Sequence, residues 1–267
     1  MAESNLLNQN NLLILGIVGG LIGIYLSTFS TIGGLISCLG GICAIVWGAD
    51  AIRRVASYGL GTGVPSIGYM SLGIATVGSI AGLTCVLAIP ALSAIPAIAT
   101  PILALVFTMI IGACMGLVAI KIIGMKIPIM VRCTVEIAGA ASLAILAFSS
   151  AVAGGYVAAD IINFVVAPGY IALFYIMNCM AIQHPYNACL GPNEEQTRTL
   201  KCAASTAFLA MTITGIIAFS HAGVVPALLI LIVGLCGWYV SFKAFLKASY
   251  EAAASVKWTG LWPKVEE

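Results

Sequence analysis

Charge is what this chain has least of. Charged residues fill 7% of its 267 positions, against 61% for hydrophobic types, and the mean hydropathy is +1.13. A soluble domain carries roughly 25% charged residues, so this chain cannot cover itself with a surface that water tolerates. Period-two alternation, the mark of membrane barrel strands, is also missing from the apolar runs. In hydrocarbon, backbone polar groups must be satisfied within the protein, which leaves helices once barrels are set aside. The chain reads as an all-α, polytopic transmembrane helical bundle. Other absences bound the function. None of the nine cysteines forms a C-x-x-C pair, which argues against a zinc ribbon or a dithiol redox motif. The opening segment MAESNLLNQNN has no lysine or arginine, and no small-residue cleavage site closes the first apolar run. A cleaved signal peptide is therefore not expected. There is no phosphate-cradling glycine loop and no nucleophile paired with a base, so no catalytic residue is assigned and no nucleic-acid partner is expected.

What is present is a series of apolar runs, each near the 20 residues that cross a bilayer as a helix. About eight spans are expected, at 12–27, 31–48, 66–89, 102–120, 134–153, 156–180, 203–219 and 224–242. Pro168-Gly169 interrupts the sixth, and the prolines between 90 and 101 point to a bend or a partly re-entrant piece. Residues 1–267 form one integral membrane domain in this reading, with a short tail from about 243 to 267. With the N-terminus inside, the links 50–65, 121–133 and 181–202 and the tail hold all eleven lysines and arginines. Basic residues favour the cytoplasmic side, so an N-in, C-in protein of the cell membrane is expected.

Glycine spacings such as Gly16-x-x-x-Gly20, Gly19-x-x-x-Gly23 and Gly112-x-x-x-Gly116 fit close helix packing. The cysteines inside spans, Cys38, Cys43, Cys85, Cys114 and Cys236 among them, read as small packing residues. Cys179, His184 and Cys189 lie around one polar link, but Pro185 interrupts any helix there and a fourth ligand is missing, so a structural loop is expected. His221, beside Gly223, reads as a turn residue. Gly61 to Pro65 and Gly124 to Pro128 share a spacing ahead of a span, a hint of an internal repeat.

Ionisable residues within spans mark candidate sites. Glu136 lies just inside the fifth span with Arg132 one turn earlier, a spacing that also suits a plain ion pair. Asp160 lies in the sixth span with no basic residue within a turn on either side. On a continuous helix Tyr156 and Asn163 would share its face. Carboxylate, amide and phenol oxygens are hard donors suited to an alkali cation or a proton. Two readings fit the group, which Glu136 joins as a second candidate: a cation path, or a hydrogen-bonded polar cluster near the outer interface.

The most polar link carries HPYNACLGPNEE at 184–195. That motif, GTGVPSIGYMSLG at 61–73, and the length and span pattern of the whole chain resemble the C subunit of tetrahydromethanopterin S-methyltransferase. The resemblance implies a complex of methanogenic archaea that moves a methyl group from tetrahydromethanopterin to coenzyme M through a cobamide, coupled to sodium export. It implies further that the cobamide and the methyl-transfer chemistry reside on other subunits, and that this chain binds no cofactor of its own. Sodium is then the translocated species, and the partners are the other subunits, especially the polytopic D and E subunits, together with membrane lipid. His184, Asn187, Glu194 and Glu195 are the candidates for docking a partner or gating an ion path. Two rival readings stand: a stand-alone secondary transporter using the break at Pro168-Gly169, and a purely structural scaffold.

Overall fold

The computed structural model describes residues 8–58, 64–89, 99–185 and 195–254. Seven long apolar helices run through them. They are α1 (Gln9–Leu26), α2 (Gly33–Ala56), α3 (Val64–Ala88), α4 (Thr100–Lys121), α5 (Met130–Ala153), α8 (Gln196–Ala218) and α9 (Val224–Ala254). Between α5 and α8 the chain breaks into two pieces. The first is a short α6 (Ala158–Ile161) running into a π-helical turn (Ile162–Val166). The second is α7 (Tyr170–Asn178), also ending in a π-helical turn (Cys179–Gln183). The pieces bend by 88° about the turn holding Pro168 and Gly169. Proline cannot donate to the helix ladder there, and Gly169 adopts φ +88, a left-handed conformation that side chains resist.

The direction of each helix follows from what meets what. A Cβ on Gly16 would lie 2.7 Å from Trp47, and one on Gly23 would lie 2.9 Å from Ile36 O, so α1 runs antiparallel to α2. Arg54 near the end of α2 pairs with Glu136 near the start of α5. Gly116 of α4 packs on Val131 and Thr134, and Gly82 of α3 packs on Ala104. At the far end, Thr100 Oγ1 donates to the Tyr156 hydroxyl at 2.9 Å, and Gly155 lies against Thr28. The chain is back at the first end by Ile182, which packs on Gly48, and by Gln196, whose Nε2 reaches Asp50 Oδ1 at 2.9 Å. The bent pair therefore crosses the bundle as one broken span. Gly234 and Gly237 of α9 lie on Thr212 and Phe208 of α8, which brings α9 back antiparallel. Eight passes result, with the start of α1 and the end of α9 at the same end. Every described lysine and arginine lies at that end too.

Helix α5 is the axis. Its run from Glu136 to Ala153 is buried throughout, and it packs against α1, α2, α3, α4, α6, α7 and α8. Small residues make this possible: alanines, glycine and serines let these neighbours approach one helix. The glycine spacings in α1 serve this packing. A Cβ on Gly20 would meet Leu143 of α5 at 3.1 Å, and one on Gly40 of α2 would meet Gly19 O at 2.4 Å. Large apolar side chains such as Ile14, Val18, Val106, Phe107, Ile110 and Ile232 face outward, as lipid-facing surfaces require.

Several expected boundaries move. The second span continues past Gly48 to Ala56, so Asp50, Arg53 and Arg54 are helical and not part of a link. The fifth begins at Met130, which takes in Arg132. The helix of the last span continues to Ala254, so the first part of the expected tail is helical. At 1.5 Å per residue α9 is about 46 Å long, well beyond a hydrocarbon core of about 30 Å. Pro101 lies in the first turn of α4, where a missing N–H costs nothing, whereas residues 90–98 lie outside the described residues. Thr199 is fully buried, but Lys201 and Ser220 are exposed near opposite ends of α8. Single cysteines at Lys201 and Ser220, in a background without reactive thiols, should react with an impermeant maleimide from opposite sides of sealed vesicles. Labelling of both from one side would contradict the eight-pass topology.

Candidate functional site

The polar centre of the molecule is an ion cluster where the last turns of α2 meet the first turns of α5. On α2, Asp50, Arg53 and Arg54 stand at i, i+3 and i+4, so both arginines reach back to one carboxylate. Arg53 Nε lies 3.2 Å from Asp50 Oδ1, and Arg54 Nε lies 2.9 Å from Asp50 Oδ2. Arg54 also grips Glu136 Oε2 across the helix pair, and its guanidinium lies 3.7 Å from Cys133 Sγ. Glu136 accepts from Arg132 Nε at 2.7 Å on its other oxygen and from Trp47 Nε1 at 3.1 Å. Asp50 is 0% exposed, Glu136 3% and Arg54 6%. Arg53 and Arg132 lie at the rim. The buried part alone holds two carboxylates and one guanidinium, so the rim arginines are needed to balance it. Charge that deep persists only when paired and hydrogen-bonded.

Gln196, the first residue of α8, joins the cluster through Asp50. Gln183, the last residue of the π turn after α7, is buried against α2 and α3. Its Oε1 lies 1.7 Å from where a Cβ of Gly68 would be, so any side chain at 68 would displace it. Gln183 and Gln196, which flank the polar link at 184–195, thus lie beside the end of α2 and the start of α3. His184 and Glu195 are exposed at its margins. Thr197 Oγ1 donates to the Glu195 carboxylate, and Thr199 Oγ1 donates to the Glu195 carbonyl at 3.1 Å. Asn187 and Glu194 lie outside the described residues, as does Cys189.

The candidate sodium ligands are not brought together as a helix face. Tyr156 precedes α6 instead of lying on it, and its hydroxyl accepts from Thr100 of α4. Asn163 is exposed within the π-helical turn, whose wider winding alters the spacing assumed for a regular helix. Asp160 is half-buried at the broken span and makes no hydrogen bond or ion pair with any described residue. Phe164, four residues on, stacks on His221 at 3.4 Å, which ties the α8–α9 turn to the broken span. Glu136 is elsewhere, at the opposite end of the bundle, and its pairing with Arg132 is the plain ion pair that the spacing allowed. Both its oxygens are already taken by arginines.

Asp50 and Arg54 carry the cluster, yet sequence reasoning placed them in a link. The signal was there: Asp50, Arg53 and Arg54 continue the helical spacing straight on from Trp47. Removing one partner of a buried ion pair leaves an uncompensated charge, at a cost of about 3–5 kcal/mol. Glu136→Gln should therefore lower the melting temperature of the detergent-solubilised complex sharply, and Arg54→Gln should do the same. Changing Lys201 to Gln, an exposed residue outside the cluster, should leave it nearly unchanged. Equal melting temperatures for Glu136→Gln and Lys201→Gln would show that the cluster does not hold the helices.

A family model described as the C subunit of tetrahydromethanopterin S-methyltransferase matches residues 1–266. The C subunit of that enzyme from Methanothermobacter thermautotrophicus is 55% identical over 261 residues, covering 97% of this chain and 94% of that protein. Its counterpart from Methanosarcina mazei is 48% identical over 264 residues, covering 97% of this chain and 94% of its own length. The one from Methanocaldococcus jannaschii is 35% identical over 262 residues, with 97% and 95% covered. The match runs through every helix of the bundle, and the chain belongs to the family formed by the C subunits of tetrahydromethanopterin S-methyltransferase.

Proposed function

We propose that this chain is a cell-membrane subunit of the complex that passes a methyl group from tetrahydromethanopterin to coenzyme M, and that it takes part in the coupled movement of sodium ions. Methyl transfer and the cobamide belong to other subunits, and the polytopic D and E subunits are its neighbours in the membrane. The basic end faces the cytoplasm, because lysine and arginine are retained on that side. The link at 184–195, rooted beside Asp50, is the contact for a partner on that side.

The observation that carries the sodium role is Asp160 on the broken span. A half-buried carboxylate without a partner among the described residues is costly in an apolar bundle, and such residues mark ion pathways. Broken helices are where transport proteins place their ion sites. Glu136 is not free to serve, because two arginines hold it. A bound cation would supply the counter-charge that Asp160 lacks. Asp160→Asn keeps the volume and removes the charge. In vesicles reconstituted with the assembled complex, the Asn variant should lose most sodium uptake driven by methyl transfer. Wild-type uptake in that variant would remove Asp160 from the path and favour a scaffold role for the chain.

A further inference from the structure

Three hydroxyls meet deep in the bundle, near the middle of three different helices. Ser79 of α3, Thr108 of α4 and Ser142 of α5 are each 0% exposed. Ser79 Oγ lies 2.8 Å from Ser142 Oγ, and Thr108 Oγ1 lies 3.5 Å from the same atom. Protons and lone pairs are unevenly shared here. Ser79 donates to Ala75 O at 2.7 Å, and Thr108 donates to Ala104 O at 2.7 Å. Ser79 therefore turns its proton away along its own helix, and Thr108 shares its proton between the near Ala104 O and a longer donating contact to Ser142 Oγ, so both still present lone pairs to the junction. Ser142 has the one remaining proton, and the shorter contact directs it to Ser79. A hydroxyl offers one donor and two acceptor sites, so the junction has more acceptors than donors.

A second acceptor lies at the same level of α5. Asn178, on the second half of the broken span, donates its Nδ2 to Ala141 O at 3.4 Å, on the residue just before Ser142. Asn178 is 2% exposed, and its Oδ1 has no hydrogen-bond partner among the described residues. A buried carbonyl oxygen without a donor is expensive in a low-dielectric interior. Neutral, hard oxygens in excess of protons suit a small hard cation, and they give an anion or a soft metal nothing to hold. Gly78 and Gly82 bring α3 close to α4 at this point, since a Cβ on Gly78 would lie 2.9 Å from Thr108 Oγ1.

We propose that Ser79, Thr108 and Ser142, with Asn178 beside them, form an uncharged site for a monovalent alkali cation at the middle of the bundle, distinct from Asp160. The inference rests on the proposed sodium role and gives the path a second station. A site without a carboxylate binds the ion weakly, which suits an ion that must leave again. Asp160 lies nearer the end of the bundle away from the basic residues, and the hydroxyl junction lies deeper.

The test is the sodium dependence of uptake by vesicles reconstituted with the assembled complex. Ser142→Ala replaces a serine among alanines and should fold. It should raise the half-saturating sodium concentration about ten- to a hundredfold, the scale on which loss of a supporting group weakens a metal site. Uptake at saturating sodium should survive, and Ser142→Thr, which keeps the hydroxyl, should restore the half-saturation point. A Ser79→Ala/Thr108→Val complex should shift in the same direction. An unchanged half-saturation point in both hydroxyl-free variants overturns the site. So does a melting temperature that falls equally in sodium and in potassium without a change in sodium dependence, because the hydroxyls would then only join helices. Uptake that is abolished by Asp160→Asn but indifferent to Ser142→Ala leaves the sodium role standing and rejects this station alone. Absence of any sodium uptake by the unsubstituted complex rejects the proposed function and the site together.

Discussion

The Arg54 guanidinium, held between Asp50 on its own helix and Glu136 on α5, sets the register of the whole bundle. Apolar helices in lipid slide past one another with little change in energy, because lipid tails are as apolar as the side chains they replace. A buried charge has no such freedom. It must meet its partner in one place, and one turn of slippage would leave it unpaired. Trp47, Arg132 and Gln196 then attach to the same two carboxylates, so α2, α5 and the start of α8 are located by a single cluster.

From that anchor the remaining packing is a matter of small residues. Helix α5 carries alanine, glycine and serine over most of its length, and every other described α-helix except α9 closes around it. The closeness has a consequence for polar groups. Hydroxyls such as those of Ser37, Ser79 and Ser142 reach neighbouring helices only because no large side chain holds the backbones apart; Ser37 Oγ donates to Ala147 O at 2.7 Å. Tight packing and polar contact are thus one feature of this bundle. The broken span is its exception. It bends at Pro168 and Gly169, and along it Asn178 Oδ1 is buried and the Asp160 carboxylate half-buried, neither with a hydrogen-bond partner among the described residues.

The charges divide the molecule into two ends with different chemistry. All described lysines and arginines lie where α2 ends and α5 begins, together with the paired Asp50 and Glu136. Asp160 stands toward the other end, without a basic neighbour within a turn on its own helix. The acid that spacing marked beside Arg132 therefore serves the architecture, whereas the Asp160 side chain makes no pairing among the described residues. The same rule applied to Asp50 shows where the sequence misleads: an acid drawn into a link by a span ending too early proves to be fully buried.

The class of protein, the number of passes and the gathering of basic residues on one side were all legible in the chain alone. Those follow from composition and run length, and lipid enforces them residue by residue. The glycine spacings and the interruption at Pro168 and Gly169 were legible too, because each acts through local backbone geometry. Which polar groups meet is a different matter, settled only by the packed bundle. Arg54 and Glu136 lie 82 residues apart in the chain, with α3 and α4 between them, and Ser79, Thr108 and Ser142 belong to three different helices. Tyr156, expected to face the same way as Asp160, instead precedes the helix and turns to Thr100. No period within one segment encodes such meetings. They are set by how closely helix backbones approach and by the demand that each buried charge and donor find a partner.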